Sequence, residues 1–408
     1  MIRQALVAVV LAGLTVGATA APVVGRQIKL NTGAQPVVGD PVVLPAQGAT
    51  AEGTIVVKGP EGQAWPANIA GEALVFVPDK VEANQELVLS VEAADAGGRA
   101  PYVEVTPKDG AEIIDVKING EHVTSFYYSK DYKKPFLYPV NAEGGVSVTR
   151  SYPVDDSVPM DEKYQDHPHH KSLWTAYGDI NGVDLWAEGE GSGFQVVQKV
   201  DHGSGDAMGW IMADSVWEDK DHKPVINERR VYRFYNAPAA ERKLDVQVTF
   251  TAAHGEAKFN DTKEGGLVAV RMRPELSYRD GVITNSLGDE GEFKTWGKPA
   301  PWCDYSGELK DIGWRGLTIF DAPTNMRYPT SWHVRSYGLM GANCFGYSYF
   351  SEKDYNKPLV PENGDFVLAD GQSFTMNYRV YVHSGNVEDA KVAQHFANFA
   401  MPPKAELQ

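Results

Sequence analysis

The chain has 408 residues, 43% hydrophobic and 23% charged, with 40 glycines and 25 prolines. Enough apolar material for a full core, set among many turn formers, excludes a disordered or fibrous chain. Thirty-eight Lys and Arg against 54 Asp and Glu leave a net charge of -16. That field repels nucleic-acid phosphates and anionic membrane surfaces, so nucleic acid is not an expected partner.

Residues 1–20 read as a cleavable signal peptide. Met1-Ile2-Arg3-Gln4 supplies a positive charge, Ala5 to Val16 is apolar, and Ala18-Thr19-Ala20 is a small-x-small cleavage site. The apolar run falls short of the ~20 residues that span a bilayer. An exported protein, periplasmic or secreted, is expected, with no integral membrane segment in the mature chain.

Residues 21–102 are rich in Val, Ala, Gly and Pro, with strands predicted at Thr54–Val57, Ala73–Val77 and Glu86–Val91 and a linker at Gly97-Gly98. A small β-sandwich module follows. Residues 103–402 form the main domain, where the turn pairs Asp109-Gly110, Asn119-Gly120, Asn181-Gly182, Asp280-Gly281 and Asp370-Gly371 separate β-branched runs. Leu244, Val246, Val248 and Phe250 alternate with polar residues, as do Phe374, Met376, Tyr378, Val380 and Val382, so Arg379 and His383 should share a face. The fold class expected is all-β, a large antiparallel β-sandwich with the small N-terminal module. One helix is predicted near the end, capped by Asn386, carrying Val392, Phe396 and Phe399 on one side and stopped by Pro402-Pro403. Cys303 and Cys344, the only cysteines, are a candidate disulfide in an exported chain.

The densest chemistry lies in Asp166-His167-Pro168-His169-His170-Lys171-Ser172-Leu173-Trp174. Imidazoles beside a carboxylate suit general acid and base work, which makes His167, His169 and His170 candidate catalytic residues. In an extended segment His167 and His169 would face one side and His170 the other. A second cluster, Trp332-His333-Val334-Arg335-Ser336-Tyr337-Gly338-Leu339, puts His333 and Arg335 on one strand face. His333 joins the catalytic candidates, and Arg335 suits a carboxylate or sugar acid. Further candidate substrate-binding residues are Arg271, Trp174, Asn343, Glu228, Arg379 and His383, the charged ones on strand faces and the tryptophan suited to stacking on sugar rings. No metal set such as His-Glu-x-x-His occurs, and phosphate-loop, dinucleotide and nucleophile-elbow motifs are missing, so no cofactor is expected.

These segments, with Lys134-Pro135-Phe136-Leu137-Tyr138-Pro139-Val140 and Ala300-Pro301-Trp302-Cys303-Asp304-Tyr305-Ser306-Gly307, resemble the bacterial PmoA-like family of unknown function over roughly 111–384. The resemblance implies a secreted β-sandwich protein of glycan-degrading bacteria and, by fold analogy, a supersandwich of the galactose-mutarotase class. The methane-oxygenase label attached to that family does not suit a chain without a spanning segment after its leader. The function expected is a carbohydrate-active enzyme, a lyase, hydrolase or epimerase, with His acid/base groups and Arg anion contacts. A non-catalytic glycan-binding envelope protein and a His-ligated metal oxidoreductase are the alternatives.

Overall fold

The computed structural model describes residues 21–95, 97–277, 280–350 and 363–408; the expected leader lies outside them. Two eight-stranded antiparallel sheets pack face to face. The first runs, edge to edge, through Trp332–Arg335, Leu339–Ala342, Gly265–Arg271, Leu173–Tyr177, Phe136–Tyr138, Glu121–Tyr127, Ile113–Ile118 and Val103–Pro107. The second runs through Phe194–Gly203, Met208–Glu218, Pro224–Tyr235, Glu241–Thr251, Ser373–Ser384, Gly313–Asp321, Trp302–Leu309 and Gly281–Asn285. Alternation along each strand sends one set of side chains between the sheets. Val116, Phe126, Leu173, Val270 and Val334 from the first meet Trp217, Val246, Leu317 and Val380 from the second in one core.

The opposite face of the first sheet is built by the same alternation. Register aligns Phe136 with Trp174, Trp174 with Ala269, Ala269 with Gly341 and Gly341 with His333 in a single cross-strand row. The two small residues in the middle leave a depression between the outer rings. Trp186, from the following loop, fills it, with centroids 5.6 Å from Trp174 and 6.0 Å from His333.

The N-terminal module is a seven-stranded sheet whose edge strands, Val42–Pro45 and Lys404–Leu407, lie close together, so it curls around its own core of Ile28, Leu30, Val57, Trp65, Phe76 and Leu89. The sequence reading missed the last of these strands. Lys404–Leu407 pairs antiparallel with Gln27–Asn31, and the Arg26 Nε donates to the Gln408 carbonyl at 3.1 Å. A four-residue strand with two charges carries too little periodicity to be read beforehand.

The helix spans Val392–Ala400, and its Phe396 and Phe399 pack on Phe320 of the second sheet. Asn386 does not cap it. Its Oδ1 accepts from the Glu388 and Asp389 backbone N–H groups and closes a separate turn, after which Lys391 adopts a left-handed φ of 50° before the helix begins.

A buried polar network joins module, sheet and helix. Asp40 of the module lies 3.1 Å from the Lys243 Nζ and accepts from His395 Nδ1 at 3.0 Å and from Asn398 Nδ2 at 2.8 Å. Glu241 pairs with the same lysine at 2.7 Å, and Lys243 also donates to the Gly39 carbonyl. Beside it, Ala73 and Val75 of the module pack with Met208 and Tyr235.

Cys303 and Cys344 are both free and buried within the inter-sheet core, so the expected disulfide is not formed. Burial raises both thiols above their ordinary range, Cys344 to about 12. Because the thiolate is the reactive form, native protein should leave both thiols unmodified by a thiol-reactive dye until denaturant is added. Rapid labelling without denaturant would contradict this packing.

Candidate functional site

Polar side chains concentrate on the outer face of the first sheet, above the row from Phe136 to His333. Residues 167–170 form a turn in which the His170 N–H donates to the His167 carbonyl at 2.9 Å. This corrects the extended reading: the turn brings all three imidazoles together instead of splitting them between faces. His167 and His170 stack at 4.9 Å, and His169 meets His170 edge-on at 4.4 Å. Left-handed φ at His167 (42°) and Ser172 (56°) brackets the segment, a strained backbone of the kind that surrounding contacts must hold in place.

Arg150 does much of that holding. Its Nη1 donates to the Tyr164 and Asp166 carbonyls and to Asp166 Oδ1, and its Nη2 to the His167 and His170 carbonyls, all within 3.3 Å. Arg271 binds the same Asp166 oxygen and donates to His170 Nδ1 at 3.2 Å. Burial raises the Asp166 carboxyl, but the two guanidiniums outweigh it and hold the group below the usual carboxylate range.

The imidazoles differ in state and access. A guanidinium only donates, so His170 Nδ1 is the acceptor and Nε2 carries the hydrogen, and that Nε2 has no partner among the described residues. Burial, then the neighbouring His169 and Arg271, hold His170 neutral. Burial with Lys134 pushes His169 down to about 3, and burial with Lys263 and Arg335 does the same to His333. These three serve as uncharged hydrogen-bonding groups at neutral pH. His167 is different: its side chain is 41% exposed, and its Nδ1 lies 3.2 Å from Asp166 Oδ2. The carboxylate favours the hydrogen on Nδ1 and leaves the lone pair on Nε2, the arrangement a general base needs.

His333 and Arg335 do share the outer face, with Trp332 and Val334 in the core, as alternation requires. Arg335 lies over Trp296 at 5.1 Å and over Tyr337 at 6.0 Å, and pairs with Glu292 at 3.4 Å. Tyr337 stacks on His167 at 5.0 Å and receives Arg271 at 4.5 Å. His167, His169, His170, His333, Arg271, Arg335 and Trp174 therefore belong to one surface.

Four other candidates lie elsewhere. Glu228 is buried between the sheets, bidentate to Arg230 at 2.6 and 2.8 Å and accepting from Trp217 Nε1. It is an internal ion pair, because its strand face turns toward the core. Arg379 and His383 share a face as expected, but it is the far side of the second sheet, where Arg379 pairs with Asp245 and His383 with Asp304 beside the C-terminal helix. Asn343 ties loops together, donating to the Thr262 carbonyl and accepting from the Phe345 and Gly346 N–H groups.

The sequence reading did not single out Arg150, Lys134, Lys171 or Glu188 as site residues. Lys134 Nζ lies 2.8 Å from Glu188 Oε1 and donates to the Trp186 carbonyl, while Lys171 takes the other Glu188 oxygen. For two of them the signal was a basic residue two positions before an aromatic one, as in Lys134-Pro135-Phe136 and Arg150-Ser151-Tyr152. Among the described residues, no group of three or more His, Cys, Asp or Glu side chains is placed to hold a metal ion. No helix there is long and apolar enough to cross a membrane.

Residues 113–397 match a family of unknown function, DUF6807, and the chain belongs to it. No curated protein matches the sequence. Among solved structures, the chain is similar to a glycosyl hydrolase family 38 protein from Enterococcus faecalis, with 10% identity and a TM-score of 0.42 over 95% of this chain and 48% of that one. It is also similar to an α-galactosidase from Lactobacillus brevis, with 10% identity and a TM-score of 0.37 over 74% and 42% of the two chains. A third is galactose 1-epimerase from Lactobacillus acidophilus NCFM, with 9% identity and a TM-score of 0.34 over 70% and 100%. The chain spans about half the length of the first of these or less.

Proposed function

We propose that this protein is an exported carbohydrate-active enzyme of PmoA-like type that removes a proton from a sugar substrate with His167 as general base. The observation that carries the reading is the contact of His167 Nδ1 with Asp166, a carboxylate itself fixed by Arg150 and Arg271. Base, orienting acid and anchoring cations recur wherever an imidazole must present one nitrogen in a fixed direction. His169, half-buried and held neutral, offers a hydrogen bond suited to a hydroxyl group, and Tyr337 supplies aromatic surface beside Arg335. Export rests on the leader-like first 20 residues.

His167→Ala and Asp166→Asn should each lower turnover by about 10²–10⁴-fold on whichever member of a broad oligosaccharide panel the wild type consumes, with the melting temperature nearly unchanged for the exposed His167. Binding of an oligosaccharide without product, in wild type and variants alike, would replace the catalytic reading with the glycan-binding one.

A further inference from the structure

On the outer face of the first sheet, two carboxylates are each set between two cations. Asp166 faces both Arg150 and Arg271, and Glu188 faces both Lys134 and Lys171. Arg150, Arg271 and Lys134 are each about 1% exposed at the side chain. Such charges cannot rely on solvent, and a buried charge left uncompensated is strongly destabilising. The nearby Asp184, whose Oδ1 accepts from the Trp186 and Ala187 N–H groups, adds a third carboxylate and leaves four cations, Arg150, Arg271, Lys134 and Lys171, against three. His169 and His170, between the two triads, are held neutral and add no negative charge.

Hydrogen bonding is lopsided in the same direction. Arg150 Nε, Arg271 Nε, His170 Nε2, Trp174 Nε1 and Trp186 Nε1 are buried and have no acceptor among the described residues. Arginine and indole nitrogens only donate, and His170 Nε2 donates by the tautomer argument above. Trp174, Trp186 and His170 are mutual ring neighbours at 5.2–5.6 Å, so three of the five belong to one ring cluster.

An excess of positive charge together with an excess of donors matches a ligand group that is negative and accepts only, and a carboxylate is both. We infer that the substrate is an acidic glycan whose uronate carboxylate is drawn to the imidazole cluster between the Arg150–Asp166–Arg271 and Lys134–Glu188–Lys171 triads. The inference rests on the carbohydrate reading and narrows it. It also moves the anion contact away from Arg335, which Glu292 already pairs.

The test is calorimetric binding of trigalacturonate and its neutral counterpart, galactotriose, to the full chain at low and high salt. The acidic trisaccharide should bind at least tenfold tighter, with the advantage shrinking as salt rises. Lys171→Gln should weaken trigalacturonate about tenfold, whereas Glu188→Gln, which leaves two lysines without their carboxylate, should tighten it. A purely structural Glu188 would not produce a gain. Should Lys171→Gln fail to fold, Glu188→Gln and the wild-type comparison decide. Equal affinity for the two trisaccharides, with turnover of the neutral one still lost in His167→Ala, overturns the acidic-substrate inference and leaves the catalytic reading standing. Selective binding of trigalacturonate that neither variant alters overturns the placement between the triads. If neither sugar binds, the inference fails together with the reading beneath it.

Discussion

Replacing Asp40 with alanine should lower the stability of the protein by about 3–5 kcal/mol, the cost typical of removing one partner from a buried ion pair. The Lys243 ammonium it faces has no exposed side-chain surface, and it would keep only Glu241 and the Gly39 and Val38 carbonyls. His395 Nδ1 would lose its acceptor in the same step, and Asn398 would keep only the Pro36 carbonyl. The module, the second sheet and the C-terminal helix all anchor there, so urea denaturation should show the loss in module and main domain alike. An effect below 1 kcal/mol would mean that the network contributes little.

The same network sets a pH window. Burial raises the Asp40 carboxyl, but Lys243 and His395 outweigh it and hold it well below its ordinary 3.8. Its contribution is present above that value and is lost as pH falls through the lowered one. His395 moves the other way: burial lowers it, but Asp40 and Glu241 raise it above its ordinary 6.5. Its contribution is complete below 6.5 and is lost as pH rises through the raised value. Arg379 and Tyr381 also face the cluster and stay in one charge state across this range. The difference between wild type and Asp40→Ala should therefore be largest between about pH 4 and 6.5 and shrink on both sides.

The second large effect is expected at Arg150. Arg150→Met keeps much of the volume but removes all the donors Arg150 gives to residues 164–170, four carbonyl contacts and the bond to Asp166. Hydrogen bonds to a charged group contribute about 1.5–3 kcal/mol each and are not additive. A loss of about 3–5 kcal/mol follows, with turnover falling at least 100-fold because His167 and Asp166 lose their positions together. Hydrogen exchange should show the 164–171 backbone opening well before the strands around it. Wild-type protection in that segment would show that Arg271 holds the turn alone.

Much of the fold was legible because strand alternation is a local property. The face shared by His333 and Arg335, and the one shared by Arg379 and His383, both followed from spacing alone. Alternation does not say which way a face looks, however. Glu228 and Arg379 sit on strands as regular as the one bearing His333, yet Glu228 points between the sheets and Arg379 toward the helix. Arg379 was read as a substrate contact because the partner that buries it, Asp245, lies 134 positions away. The imidazoles of residues 167–170 were misdirected for another reason. The segment was read as extended, whereas Pro168 occupies the turn closed by His170 and His167.

The strand Lys404–Leu407 also bears on how the protein is made. Chains are synthesised from the N-terminus, and domains generally fold as units in that order. Here the first strand of the module, Gln27–Asn31, waits for a neighbour that leaves the ribosome after the whole sandwich. Until then one edge of the module presents unpaired backbone groups, the kind of edge that recruits foreign strands. The module's sheet can therefore be completed only after the sandwich strands between have been made, and its closure reports that they have.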